Sequence, residues 1–211
     1  MKYIKKKLTI DNVKIEDVAK KFDTPTYCYS YKKLKKNINN FKFHFNKLNP
    51  LICFAIKSNS NLNIIKEIKK LGLGADVVSK GEMMMALKAG ISHKKIVFSG
   101  VGKNSDEISY AIDKNILLIN AESESEIKEI DRIARLKKRI VDIGIRLNPN
   151  TDAKTLSQIS TGKKENKFGV NNKTFVELVN YCKNSENIKL KCLSVHIGSQ
   201  ILDHRPYEKM L

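Results

Sequence analysis

No stretch of the 211-residue sequence approaches the roughly 18 consecutive apolar residues of a membrane span, and the basic start, residues 1–7, precedes no apolar signal-like run. A cytoplasmic protein without membrane contact is the expectation. Cysteine is scarce and unpaired. Cys28, Cys53, Cys182 and Cys192 include no C-x-x-C spacing, and Cys28 and Cys53 sit in apolar, strand-like runs. That argues against a zinc site and a disulfide framework, and leaves reduced core thiols and no metal. Arginine is nearly missing from a basic chain. Lys and Arg total 40 against 22 acidic residues, a net charge of +18, yet only Arg132, Arg135, Arg139, Arg146 and Arg205 are arginine. The lysines are spread over every expected helix, and neither a basic helix nor aromatic platforms accompany them. A nucleic-acid partner needs base clustered on one face, so the charge reads as solvated surface. Salt-dependent binding to DNA is the observation that would revive that alternative.

Hydrophobic residues make up 41% of the chain, enough for a sizeable core. Short apolar, β-branched runs fall at residues 51–56, 75–78, 96–98, 116–119, 140–147 and 193–197, with segments of helical period between them, which is alternating β and α. Ile64, Ile65, Ile68 and Leu71 share a helix face ended by Gly72, and Met83, Met84 and Leu87 repeat the scheme up to Gly90. Ser123 and Glu126 have capping-box spacing ahead of Ile127, Ile130 and Ala134, while Phe175, Val176, Val179 and Cys182 line a last face. Residues 149–169 form a polar excursion with turn residues, the kind of strand-end loop that carries function. Residues 1–45 fit the rhythm less well: a helix over 11–22, a strand over 25–29 that pairs outside the main sheet, and a helical stripe of Leu34, Ile38, Phe41 and Phe45. The division read from this is a lead segment, 1–45, and a barrel portion, 46–211.

Six strand-helix units in series admit a doubly wound sheet or a (β/α)8 barrel. The dinucleotide fingerprint fails, because Gly72 and Gly74 are followed by Val77 where a third glycine belongs. Gly100, Gly102, Lys103 and Ser105 do not have Walker spacing either. Polar residues favour the barrel: Lys57, Ser99, Asn120, Arg146 and His196 fall at strand ends, the catalytic face of that fold. Taken singly, a strand-end lysine is a snorkelling surface residue and a strand-end histidine a satisfied core group; several converging ends weigh against coincidence. A lysine closing the apolar run Leu-Ile-Cys-Phe-Ala-Ile is a candidate amine nucleophile, since desolvation favours the neutral, carbonyl-reactive form. His196 suits stacking on a flat ring, and Ser199 after Gly198 offers donors to an anion.

These residues carry a family resemblance. Phe54-Ala55-Ile56-Lys57-Ser58-Asn59 resembles the cofactor-lysine motif of the alanine-racemase-like barrel decarboxylases, and Gly74-Ala75-Asp76-Val77-Val78-Ser79 with Gly81-Glu82 resembles their second-strand motif. Ile96-Val97-Phe98-Ser99-Gly100-Val101-Gly102-Lys103 and Asn120-Ala121-Glu122-Ser123 follow in order. Arg146-Leu147-Asn148-Pro149, Ile159-Ser160-Thr161-Gly162 with Lys167-Phe168-Gly169, and His196-Ile197-Gly198-Ser199-Gln200 resemble the diaminopimelate decarboxylases within that class. The resemblance runs from about Pro25 onward.

The resemblance implies a pyridoxal-phosphate enzyme. Lys57 holds the cofactor, His196 stacks on its ring, Ser199 contacts its phosphate, Asp76 supports the lysine and Arg146 lies beside the cofactor. The implied reaction is decarboxylation of meso-2,6-diaminopimelate to L-lysine, by an enzyme that is a homodimer in full-length relatives. Decarboxylases of ornithine, arginine or carboxynorspermidine share the barrel motifs, and a non-catalytic pyridoxal-phosphate barrel or inactive fragment is a further reading. Three departures stand out: Ser58 where Ala is usual, Lys80 where Gly is usual at a tight turn, and no His or Tyr at 156–158. A complete barrel takes roughly 250 residues, so an incomplete one is expected, without the glycine-rich phosphate loop, the acid at the pyridine nitrogen and the C-terminal β domain. An open barrel exposes strand edges, so dependence on a completing chain is expected too.

Overall fold

Residues Met1–Ile52 form one unit and Cys53–Leu211 another in the computed structural model, which describes residues 1–152, 161–162 and 168–211. In the first unit, β1 (Lys2–Ile4), β2 (Lys7–Ile10) and β3 (Val13–Lys14) form an antiparallel meander. Its two-residue turns put both central residues at positive φ, 46° and 64° at Lys5 and Lys6, 50° and 72° at Asp11 and Asn12. Turns of that hand match strand twist and favour Asn-Gly; a Lys-Lys turn between strands of two to four residues leaves no pattern to read, and the meander was not expected. Helices α1 (Ile15–Phe22) and α2 (Tyr31–His44) follow. Asp11, expected to begin a helix, accepts from Ser30 Oγ at 2.6 Å and Lys32 N at 3.0 Å, so it braces the start of α2. Residues 25–29 make no ladder in this structure, whatever strand pairing their composition favours.

The second unit is a parallel sheet of β4 (Cys53–Ala55), β5 (Gly74–Val77), β6 (Ile96–Phe98), β7 (Leu118–Ala121), β8 (Val141–Leu147) and β9 (Ile188–Val195), hydrogen-bonded in that sequential order. Helices α3 (Leu62–Lys70), α4 (Lys80–Lys88), α5 (Ser105–Asp113), α6 (Glu124–Leu136) and α7 (Asn172–Asn184) connect the strands, and α8 (Arg205–Met210) follows β9. A doubly wound sheet reverses its order at a switch point. Sequential order with right-handed crossovers instead puts every crossover helix on one face, so these are six adjacent staves of a (β/α)8-type barrel.

The crossover helices begin on short polar caps: Asn61, Ser79, Asn104, Ser123 and Asn171 each accept a backbone N–H of the first turn. The reciprocal capping box forms at Asn104 and Glu107. At Ser123 only half of the expected box is met, because the Glu126 carboxylate turns to Glu122 N at 3.1 Å. One face of the sheet, including Ala75, Val77, Ile96, Phe98, Ile119, Ala121, Ile143 and Ile145, packs into a core with Ile65, Met83, Ile108, Ile127, Ile130 and Leu178 from the helices. Met84 and Val176, expected in that core, are exposed; Ala86 and Leu178 take the inward positions.

Candidate active site

The opposite face of the sheet carries the polar strand ends. Lys57 lies in a 3₁₀ turn, Ile56–Ser58, just past β4, and Ser58 Oγ closes that turn on Ala55 O at 2.7 Å. Asp76 sits within β5, in register with Ala55 of β4 and Val97 of β6. Ser99 follows β6 directly, Asn120 lies in β7 beside Gly144 of β8, and Arg146 of β8 pairs in register with Ser194, two residues before His196.

These groups act on one another. Ser99 Oγ donates to Asp76 Oδ1 at 2.6 Å and accepts from Asn120 Nδ2 at 3.2 Å. Burial pushes the Asp76 carboxyl above its ordinary value, opposed by the Ser99 hydrogen bond and by the charges of Lys57, His196 and Lys103. Burial pushes His196 down, helped by the positive charges of Arg146 and Lys57 and opposed by Asp76. Thr161 Oγ1 lies 2.8 Å from His196 Nδ1 and donates to His196 O at 2.9 Å. A hydroxyl has a single proton, so Nδ1 carries the hydrogen of the ring bond, and the neutral imidazole keeps its lone pair on Nε2.

Behind this layer lies a buried charge network. Arg146 Nη1 donates to both carboxylate oxygens of Glu122, at 2.9 and 3.0 Å, and Nη2 donates to His196 O at 3.3 Å. Its guanidinium stacks 4.8 Å from the Phe168 ring centroid. Glu122 also accepts from Gly100 N at 3.1 Å. Lys103, whose side chain is 1% exposed, donates to Glu126 at 2.5 Å, to Gly100 O at 2.5 Å and to Asn120 O at 2.7 Å. Burial pushes the Glu126 carboxyl up while Lys103 pulls against it. Two cations face two carboxylates, which is how charge is tolerated inside a protein.

Of the residues expected from the sequence, Lys57, Asp76, Arg146 and His196 come together at one end of the sheet. Ser199 is exposed just beyond His196. Lys57 is also exposed, not desolvated as its apolar strand suggests, because the 3₁₀ turn carries it past the last ladder residue. Lys80 costs the turn nothing: it is the first residue of α4, has no positive φ, and donates its N–H to Glu107 at 2.9 Å. Lys103, glycine-flanked like a phosphate-binding lysine, is spent on Glu126. Thr161 and Gly162 reach the site from the polar excursion, and a Cβ on Gly162 would stand 2.7 Å from Thr151 O. Ile159, Ser160, Lys167 and residues 156–158 lie outside the described residues. Spacing reads Glu126 as a capping residue, and Glu122 and Lys103 stand within the quoted motifs without a role of their own; the ion pairs these residues form have no local signal. Among the described residues no group of His, Cys, Asp and Glu has the makings of a metal site, and no helix is long and apolar enough to cross a membrane.

Sequential parallel staves with an accessible lysine, a carboxylate and an imidazole at their C-terminal ends define a class, barrels that hold a reactive group at the strand ends. The chain belongs to the pyridoxal-dependent decarboxylase family: its residues 31–211 match the family's pyridoxal binding domain. Pyridoxal phosphate is therefore the cofactor, and the donor set fits it, with an exposed primary amine for its aldehyde and a half-buried imidazole of defined tautomer nearby. The diaminopimelate decarboxylase of Helicobacter pylori strain J99 is 48% identical over 191 residues, 90% of this chain and 47% of that protein. The Aquifex aeolicus diaminopimelate decarboxylase is 38% identical over 209 residues, 99% of this chain and 49% of that protein. The solved structure of Helicobacter pylori diaminopimelate decarboxylase complexed with L-lysine matches with a TM-score of 0.91 at 45% identity, over 93% of this chain and 50% of its own. The chain spans about half the length of these relatives.

Proposed function

We propose that this chain carries the cofactor-binding portion of a decarboxylase that converts meso-2,6-diaminopimelate to L-lysine and CO2. One observation carries the reading: Lys57, Asp76, Arg146 and His196 arrive from four different strands at one end of the sheet, with Lys57 near enough for its charge to act on both Asp76 and His196. The names of the relatives, and the L-lysine bound in a Helicobacter pylori structure, support the choice of substrate over other diamino acids.

In this reading Lys57 is the covalent anchor, and its exposure leaves the amine open to an aldehyde. Asp76 sets a negative charge beside it. His196, with Nδ1–H committed to Thr161 and its basicity lowered, stays neutral near pH 7 and lies against the ring without adding charge. Arg146 cannot swing, since Glu122, His196 O and Phe168 hold three sides of it. Ser199 is assigned to the phosphate. Bound here, pyridoxal phosphate supplies the electron sink for the pair left by the departing carboxylate. Activity is assigned to a completed barrel acting as a homodimer, and the location to the cytoplasm.

Borohydride reduction after incubation with pyridoxal phosphate, followed by peptide mass spectrometry, tests the site. Lys57 should take close to one label per chain while the other 34 lysines share little. Labelling spread evenly over exposed lysines would sink the assignment.

A further inference from the structure

Asn120 is buried, and its Oδ1 has no hydrogen-bond partner among the described residues. An amide turned the other way would lose more. Ser99 Oγ donates its one proton to Asp76 Oδ1; the Ser99 oxygen is then left to receive, and the amide nitrogen of Asn120, 3.2 Å away, is the side-chain end that can give. That orientation leaves Oδ1 over Gly144, where an added Cβ would stand 2.1 Å from it. Glycine at 144 is what makes room for the amide. Lys103, donating to the Asn120 carbonyl at 2.7 Å, steadies the backbone from which the chain of donors starts.

We propose that Asn120 and Ser99 are positioning residues, a directed relay of two donors that keeps the Asp76 carboxylate ionised and fixed between Lys57 and His196. The proposal deepens the assignment of Lys57 and His196 to the cofactor site and rests on it. Burial alone works toward protonating Asp76, and a protonated Asp76 would no longer offer negative charge to the lysine. Four charged or titratable groups face it from the packed elements: Lys57 and Cys53 from β4 and its turn, Lys103 after β6, and His196 after β9. Each of these is exposed to solvent or pairs elsewhere as well, whereas the Ser99 hydroxyl is held by its own donor at the moment it donates.

The test is a carboxyl-carbon NMR titration of the full 211-residue chain, with Asp76 assigned by the resonance lost in Asp76→Asn. Ser99→Ala should raise the Asp76 midpoint by about one pH unit, the size of one lost charge-assisted hydrogen bond. Ser99→Thr, which keeps the hydroxyl, should restore it, and Asn120→Ala should give a smaller rise in the same direction. An unchanged midpoint in folded Ser99→Ala overturns the relay. Should Ser99→Ala not fold, the unsubstituted chain decides: a solvent hydrogen–deuterium isotope shift at the Asp76 carboxyl carbon is expected from the donated proton, and its absence is equally fatal. Lysine labelling scores the cofactor reading separately. Labelled Lys57 with an unmoved Asp76 titration sinks the relay alone, and an unlabelled Lys57 with the expected titration sinks only the cofactor assignment.

Discussion

His196 and Asp76 face each other across the site with pKa values displaced in opposite directions, and both displacements begin with burial. A histidine whose folded value is depressed contributes stability that is complete above its unfolded value, near 6.5, and lost as pH falls below it. An aspartate whose folded value is raised acts in reverse: its cost is absent below the ordinary carboxylate range and appears as pH rises through it. The histidine window opens just below 6.5 and runs downward, while the aspartate window runs upward from the ordinary carboxylate range, and the two act with opposite sign. Urea midpoints measured at about pH 7.5, 6.5 and 5.5, which bracket the ordinary histidine value, should therefore fall on acidification, and His196→Gln should remove part of that fall. Equal slopes in both chains would show that His196 is not held neutral by its surroundings.

At the scale of elements, β9 is where periodicity misled. The run 193–197 reads as a core strand, but β9 starts at Ile188, and its pairing with β8 skips Lys191, so the two sides of the strand exchange faces between Leu190 and Cys192. Ile188 is buried before the skip, while Leu193 is 55% and Val195 38% exposed after it. The same displacement sets Ser194 opposite Arg146 and brings His196 to the site. In β8, Gly144 is a packing requirement that resembles an ordinary weak strand residue in sequence. Gly144→Ala should drive Asn120 out of position and cost about 1–3 kcal/mol by overpacking, with the Asp76 midpoint rising as in Ser99→Ala. A stable Gly144→Ala chain with an unmoved midpoint would mean that Asn120 is free to shift without disturbing Ser99.

For the molecule as a whole, stability is unevenly distributed. Every buried apolar side chain among the described residues lies beyond Ile52, and in the first unit only Thr9 is buried. A unit without buried apolar contacts opens locally at little cost. Hydrogen exchange followed by mass spectrometry should show backbone amides of β1–β3, α1 and α2 exchanging at least about a hundredfold faster than those of β6–β8. Comparable protection in both units would mean that the exposed aromatic residues Phe22, Phe41 and Phe43 are covered in solution. The +18 charge belongs to this scale as well. It is carried by scattered lysines, and the internal cations Lys103 and Arg146 are matched by Glu126 and Glu122.

Much of this protein is legible from local chemistry. Hydrophobic period 2 and period 3.6 are properties of short segments, so the presence of six strands with helical segments between them and the strand-end positions of Lys57, Ser99, Asn120, Arg146 and His196 follow from spacing, and the resemblance of ordered motifs points to the cofactor. What spacing does not carry is register and pairing between distant segments. The skipped Lys191, the Lys5–Lys6 hairpin, the exposure of Lys57, the exchange of Glu126 from cap to ion pair and the tautomer of His196 were decided by partners 23 to 48 residues away or by a turn with no sequence signature. A hydrogen bond has direction and needs both ends in place, and only the folded sheet brings those ends together.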